Sequence, residues 1–146
     1  MPEDAAAAHV LVHAMFGGTR YLARVREQLD AALQFEDPEY LGVLAERDGR
    51  VLALALFGAV AGARQCTKLH VLAGADPLSL EALADGVVGV CAEAGERLVV
   101  AESPDDVPYS RGIQVLMAGG FRDEGRIDDY VADGVALRLL VWRPPA

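Results

Sequence analysis

Residues 98–130, LVVAESPDDVPYSRGIQVLMAGGFRDEGRIDDY, decide the fold, because a strand, a helix and another strand follow each other there. The apolar run Leu98–Ala101 is typical of a short buried strand. Tyr109–Ala118 predicts a helix that the Gly119-Gly120 pair ends. Phe121 to about Tyr130 predicts the next strand, and a strand–helix–strand unit indicates that part of the sheet is parallel.

The segments on either side extend this unit into a mixed α/β domain. Asp4–Phe16 predicts a first helix, and the apolar face after Thr19 predicts a second that ends before Asp37-Pro38. The order is α-α-β-β-β-α-β-α-β-β, and because no linker or repeat interrupts it, residues 1–146 are predicted to form one domain. The other predicted elements are strands over Tyr40–Glu46, Val51–Phe57 and Cys66–Ala73, a helix from Asp76-Pro77 to Gly95, and a last strand over Val135–Trp142.

Two glycines, Gly86 and Gly89, lie one turn apart in the third predicted helix. Each lowers helix propensity by about 1 kcal/mol relative to alanine. We therefore expect them to serve packing, by letting the helix backbone lie close to the sheet.

The composition excludes several classes of protein. Hydrophobic residues make up 53% of the chain, which excludes disorder as a description of the whole. The net charge is −9, with 22 acidic against 13 basic residues, so nucleic acid is not expected as a partner. No apolar run approaches the roughly 20 residues that cross a bilayer, so no membrane association is expected.

The cysteines and the first residues point to a reduced compartment. Cys66 and Cys91 make neither a zinc site nor a disulfide framework. Glu3 and Asp4 stand where a secretory leader would be basic. The sequence therefore predicts a cytoplasmic protein without a metal. His9 and His13 share one helix face, but with no third ligand nearby a solvated face is the preferred interpretation.

An ordered set of short motifs resembles the closing third of the GNAT N-acetyltransferases. The set starts with Val99–Ser103, continues with Tyr109 and Gly120-Phe121, and ends with Arg126–Tyr130 followed by Asp133-Gly134. The element order is also similar to that of the family, with the opening strand missing. The resemblance implies that such a strand would precede residue 1, so either the start is truncated or this protein dispenses with the strand.

This resemblance implies a cofactor and a reaction. Members of the family transfer an acetyl or acyl group from acetyl-CoA to an amine, here the amine of a small molecule. By the same resemblance, the backbone of Val71, Leu72 and Ala73 would hold the pantetheine arm where two strands splay apart. Leu78 and Ser79 would lie beside the pyrophosphate, at the start of the third helix.

The chain departs from the family pattern at three places. The loop Gly74–Glu81 lacks the family's glycine-rich pattern and its leading basic residue, and it contains Asp76 and Pro77 instead. Leu116 stands where a tyrosine commonly acts as the acid. The strand Cys66–Ala73 contains no carboxylate, and His70 is its candidate base, since imidazole titrates near neutrality.

The candidate catalytic residues are therefore His70 and Tyr109. Glu102 and Ser103 are candidate substrate-binding residues, because they end a strand at the carboxyl edge of the sheet. Structural interpretations stand beside these: His70 satisfied by a neighbour, Glu102 and Ser103 in local hydrogen bonds, and Tyr109 packed at its helix start. Tyr130 is expected to pack a strand end.

The basic residues allow two interpretations. Arg20, Arg24 and Arg26 form a solvated face of the second helix, or they meet an acidic substrate, since the first two helices border the acceptor site in the family. Lys68 and Arg111 are interpreted as ordinary surface charges.

Two functions follow from these observations. The first is an acyl-CoA-dependent N-acetyltransferase. The second is a catalytically inactive binding or interaction module of the same fold that no longer uses acetyl-CoA. The missing opening strand would also leave a sheet edge uncovered, and a second copy could pair there to form a homodimer.

Overall fold

The computed structural model describes residues 2–34 and 37–145. The predicted order of elements is confirmed, with bounds that move by a few residues. A single 3-10 turn at Val107–Tyr109 precedes the last helix. The helices are α1 (Pro2–Phe16), α2 (Leu22–Gln34), α3 (Pro77–Glu93) and α4 (Ser110–Ala118); the strands are β1 (Leu41–Arg47), β2 (Arg50–Ala59), β3 (Cys66–Gly74), β4 (Leu98–Pro104), β5 (Arg122–Ala132) and β6 (Val135–Trp142).

The strands form one six-stranded sheet in the order β1-β2-β3-β4-β6-β5. Only β3 and β4 pair in parallel, and the other neighbours are antiparallel. β1 lies at one edge, and no strand within the described ranges pairs with its outer side.

β3 and β4 separate halfway along their length. Their pairing runs from Cys66 with Leu98 to Leu69 with Ala101 and stops there. Beyond this point β3 stays paired with β2, and β4 stays paired with β6. The carboxyl halves of β3 and β4 therefore face a gap instead of each other.

Helices cover both faces of the sheet and divide the core in two. One cluster lies under α3 and α4 and includes Leu69, Leu72 and Leu116. The other lies under α1 and α2 and includes Val71 and Ala73. Cys66 and Cys91 are buried free thiols, as expected of small core residues.

The expectation for Gly86 and Gly89 was wrong. No atom of the sheet or of another element lies within 4 Å of a Cβ added at either position, so neither glycine brings α3 close to a neighbour. The close approach occurs instead at Gly112 of α4, where an added Cβ would lie 2.8 Å from the Leu72 carbonyl oxygen.

None of the helices in the described part of the chain is both long and apolar enough to cross a bilayer.

Candidate active site

A β-bulge places His70 at the point where β3 leaves β4. Val71 pairs with Leu56 of β2 and Leu69 pairs with Phe57, so His70 is an extra residue on β3. A bulge shifts the alternation of side chains between the two faces of the sheet for the residues that follow it. Leu69 and Leu72 consequently face α3 and α4, while Val71 faces α1 and α2.

Burial holds the imidazole of His70 neutral. Nε2 lies 2.8 Å from the carbonyl oxygen of Glu39, and since a carbonyl only accepts, Nε2 carries the proton. The ring of Tyr40 stacks on the imidazole with 4.7 Å between centroids. Burial lowers the pKa of His70, against a smaller opposing effect of the Glu39 hydrogen bond. The second ring nitrogen, Nδ1, is therefore left as a proton acceptor at neutral pH.

Lys68 and Glu102 form an ion pair beside His70. Lys68 Nζ donates to Glu102 Oε2 at 3.2 Å, and both side chains are partly exposed. Lys68, interpreted from the sequence as an ordinary surface charge, forms this ion pair and lines the same cleft as His70. The spacing of Lys68 and His70, two apart on a strand, was the sequence signal that could have grouped them.

These residues line an open cleft of about 560 Å³ between the α1–α2 hairpin and the carboxyl edge of the sheet. Tyr109 and Tyr130 both line it. Tyr130 is 63% exposed, so the expectation that it packs a strand end was wrong. Tyr40, which follows a turn and belongs to no motif, was not among the residues predicted for the site. The cleft is lined by His70, Lys68, Glu102, Tyr109, Tyr130, Tyr21, Tyr40, Glu39, Arg20 and Arg24, with smaller residues between them.

Tyr109 joins the cleft to the core. Its ring packs on Phe16 at 5.3 Å and edge-on against Tyr21 at 5.0 Å between centroids. Tyr21 in turn donates to the Asp106 carboxylate at 2.6 Å, which ties α2 to the turn before α4. Burial and the charge of Asp106 raise the pKa of Tyr109 to about 12. Tyr109 thus packs at its helix start, as the structural interpretation held, and also lines the cleft.

The gap between β3 and β4 is nearly filled. α4 lies over it, with Gly112 against Leu72 and with Ile113 and Leu116 buried beside it. The remaining space is about 20 Å³, enough for about one water molecule. Ser103 is buried in this gap and does not line the cleft, whereas Glu102 lines both.

The N-terminus of α3 holds a carboxylate of the chain itself. Asp76 occupies the N-cap position and accepts from Ser79 Oγ at 2.6 Å. The Ser79 hydrogen bond lowers the pKa of Asp76, so its carboxylate carries a negative charge at neutral pH. From the N-cap position this charge lies beside the amide groups of the first turn. Pro77 contributes no donor there, and Leu78 is 67% exposed.

Arg111 links α4 to the same loop. Its Nη1 donates to the carbonyl oxygen of Ala75, immediately before Asp76. Arg111 is exposed, so its interpretation as a surface charge agrees with the structure, which adds this contact to the loop. It supplies a cation from α4 beside a loop that has no basic residue of its own.

The residues of this region suit the pantetheine arm of acetyl-CoA better than its pyrophosphate. The edge of β3 over Val71, Leu72 and Ala73 has no strand partner on its β4 side, so its backbone groups suit an extended pantetheine arm, but α4 fills the space that the arm would occupy. The α3 N-terminus does not suit a pyrophosphate, because Asp76 already places a negative charge there.

Metal ligation finds no support in the described residues, which contain no cluster of three or more suitable side chains. His9 instead lies 3.1 Å from Asp30 of α2. The two histidines of α1 thus join no common site within the described ranges.

Comparisons with known proteins agree with this architecture. No protein-family model matches the chain, and no curated protein does. Among solved structures, a GNAT-family protein from Desulfovibrio desulfuricans superposes with a TM-score of 0.81 at 21% identity, over 98% of this chain and 94% of that one. Aminoglycoside 6'-N-acetyltransferase from Enterococcus faecium gives 0.79 at 11% identity, over 100% and 94%.

A third structure, from Salmonella typhimurium, contains its cofactor acetyl-CoA and gives a TM-score of 0.70 at 16% identity, over 98% and 90% of the two chains. Sequence identities this low support a statement about architecture, and the agreement spans nearly the whole chain in each case. This protein therefore has the fold of the GNAT N-acetyltransferases.

Proposed function

We propose that this protein is an N-acyltransferase that moves an acetyl or acyl group from acyl-coenzyme A to the amine of a small molecule. The observation that carries the proposal is a neutral, bulged His70 in the floor of a cleft of about 560 Å³, where β3 and β4 separate. A proton acceptor at such a point is what amine acylation requires, since only the deprotonated amine is nucleophilic.

The proposed roles follow from the contacts. Acyl-coenzyme A, when bound, supplies an acyl group activated as a thioester. His70 accepts a proton from the attacking amine at Nδ1 as the N–C bond forms and the C–S bond breaks. Glu102, fixed by Lys68, orients the amine from the end of β4.

Tyr109 keeps its proton in this scheme. Its pKa of about 12 lies far above the roughly 8.5 of a thiol. Tyr109 consequently donates a hydrogen bond, and water supplies the proton to the leaving thiolate. On the donor side we assign the pantetheine arm to the backbone of Val71, Leu72 and Ala73. Leu78 and Ser79 remain the proposed neighbours of the phosphates, although the Asp76 carboxylate opposes a negative group at that helix end.

Calorimetric titration with acetyl-CoA, followed by thiol release in the presence of a panel of primary amines, tests the proposal. Saturable heat and amine-dependent thiol release are expected. Desulfo-coenzyme A is the matched ligand, which binds and releases no thiol. Absence of heat at millimolar acetyl-CoA would reject the proposal.

A second function, a binding module of the same fold, is favoured by Asp76 at the α3 N-terminus. A helix end occupied by a carboxylate is a poor site for a polyphosphate. This alternative predicts that the cleft binds a small molecule while acetyl-CoA does not bind. A coenzyme that binds and reacts contradicts it.

A further inference from the structure

We propose that the cleft selects amines that also carry a carboxylate and an apolar or aromatic body, with Arg20 and Arg24 binding the carboxylate. The inference names the acceptor class for the proposed function, on which the acyl-transfer step rests. Binding of the acceptor itself requires only the cleft.

The charge inside the cleft has the opposite sign to that of the chain. The whole chain carries −9, but Arg20, Arg24 and Lys68 line the cleft against two carboxylates, those of Glu39 and Glu102. A concave surface concentrates the electrostatic field of the charges that line it. The excess of positive over negative charge inside the cleft therefore decides which ligands are attracted.

The positive excess lies on the α2 side of the cleft. Lys68 and Glu102 neutralise each other across 3.2 Å on the sheet floor. Arg20 forms no ion pair in the described part of the chain. The carboxylate that influences it, Asp106, is bound by the Tyr21 hydroxyl and by the Val107 amide.

Arg24 is also available. Its Nη1 lies 3.6 Å from Glu27, and both side chains are mostly exposed, so that pair contributes little. Its Nη2 lies 3.4 Å from the Tyr40 hydroxyl, which points the guanidinium toward the cleft. A guanidinium matches the planar geometry of a carboxylate and can bind it with two parallel hydrogen bonds.

Tyrosines supply the surface for the rest of the acceptor. The chain contains 4 tyrosines, and all of them line this cleft. Tyr40 covers His70, Tyr21 and Tyr109 form one packed wall, and Tyr130 extends over the opening. Aromatic walls of this kind bind apolar bodies and leave hydroxyls at the rim.

The same arrangement disfavours polycationic amines. Such a ligand would bring further positive charge to Arg20 and Arg24, and like charges at short range repel. The acceptor amine must instead meet Glu102 and His70, while its anionic group meets the arginines. An amino carboxylate carries both an amine and an anionic group.

Equilibrium titration of phenylalanine, tyrosine and leucine, each paired with its carboxamide, tests the inference without a donor. We expect the wild-type protein to bind at least one amino acid about tenfold tighter than its amide. Arg20→Gln combined with Arg24→Gln should reduce that preference to about one. Arg26→Gln is the matched control, because Arg26 lies exposed on the same helix and does not line the cleft.

Equal or tighter binding of the amides overturns the inference, as does a preference that survives the double substitution or the absence of binding by every amino acid at millimolar concentration. Failure of the proposed function has a different result. In that case acetyl-CoA gives no heat, while the preference for carboxylates and its loss in the double variant persist.

Discussion

The two sides of the diverging strands β3 and β4 contrast sharply. On the α1–α2 side lies an open cleft lined by His70, Lys68 and Glu102. On the α3–α4 side the gap is reduced to about 20 Å³, and Asp76 occupies the neighbouring helix end. The same divergence of strands produces both regions. Charged and aromatic side chains keep one open, whereas Gly112 and apolar side chains let α4 close the other.

This contrast suggests that the acceptor side is preformed and that the donor side must rearrange before a coenzyme binds. Preformed pockets with converging polar groups are the usual binding sites of enzymes. When a ligand enters a filled gap, the protein loses packing contacts there and gains contacts with the ligand. The affinity for the ligand is therefore reduced by the free energy needed to open the gap.

The largest expected effect tests the open side. His70→Gln keeps a donor toward Glu39 but removes the basic nitrogen, so the rate of acyl transfer should fall about 100-fold or more. Steady-state thiol release with the best amine measures it. His13→Gln, an exposed change on α1, should leave the rate unchanged. A His70→Gln rate within threefold of wild type would exclude His70 as the base.

The next effect tests the closed side. Gly112→Ala places a methyl group 2.8 Å from the Leu72 carbonyl oxygen, and we expect it to lower the free energy of unfolding by about 1–3 kcal/mol. Gly86→Ala is the matched control, because nothing lies within 4 Å of its added methyl group. That change should stabilise α3 by about 0.5–1 kcal/mol. Urea denaturation measures both, and equal effects would contradict close packing at Gly112.

Loss of the hydrogen bond between Tyr21 and Asp106 should have a smaller effect on stability. Tyr21→Phe removes the 2.6 Å hydrogen bond to Asp106 and should lower the free energy of unfolding by about 1 kcal/mol. Tyr130→Phe is the control, since its hydroxyl bonds to no described residue and its side chain is exposed. Thermal and urea unfolding compare the two. If both variants were as stable as the wild type, the Tyr21 bond would contribute nothing.

Removal of the charge at α3 should tighten coenzyme binding. Asp76→Asn keeps an acceptor for the Ser79 hydroxyl and removes the negative charge, so the Kd for acetyl-CoA should fall about two- to fivefold. Glu81→Gln, one turn later on the exposed side of α3, is the charge-matched control. Calorimetry measures both. An unchanged Kd in the Asn variant would mean that the phosphates bind elsewhere.

The smallest effect concerns pH. Because burial lowers the pKa of His70 from 6.5, the unfolded chain binds a proton there more readily than the folded chain. The contribution of the neutral imidazole is fully present above pH 6.5 and is lost as pH falls below it. Urea denaturation from pH 7.5 to pH 5 should therefore show a steeper loss of stability in the wild type than in His70→Gln. Parallel curves would contradict a lowered pKa.

The sequence predicted the residues of the open side better than their arrangement. His70, Glu102 and Tyr109 all line one cleft. Each could be named from a local pattern in the sequence, namely a strand position, a strand end and a helix start. The bulge at His70 could not be predicted, since it depends on the register with β2. Ser103 was grouped with Glu102, yet strand alternation turns it into the gap.

By itself, the sequence determined the order of helices and strands and the resemblance of residues 98–130 to a known fold. These depend on turn residues and on apolar periodicity, which act over a few neighbouring positions. Only the tertiary structure decided that Lys68 holds Glu102, that Arg111 reaches Ala75 and that α4 fills the gap. Those contacts join residues more than 30 positions apart, and only the packing of the whole sheet brings them together.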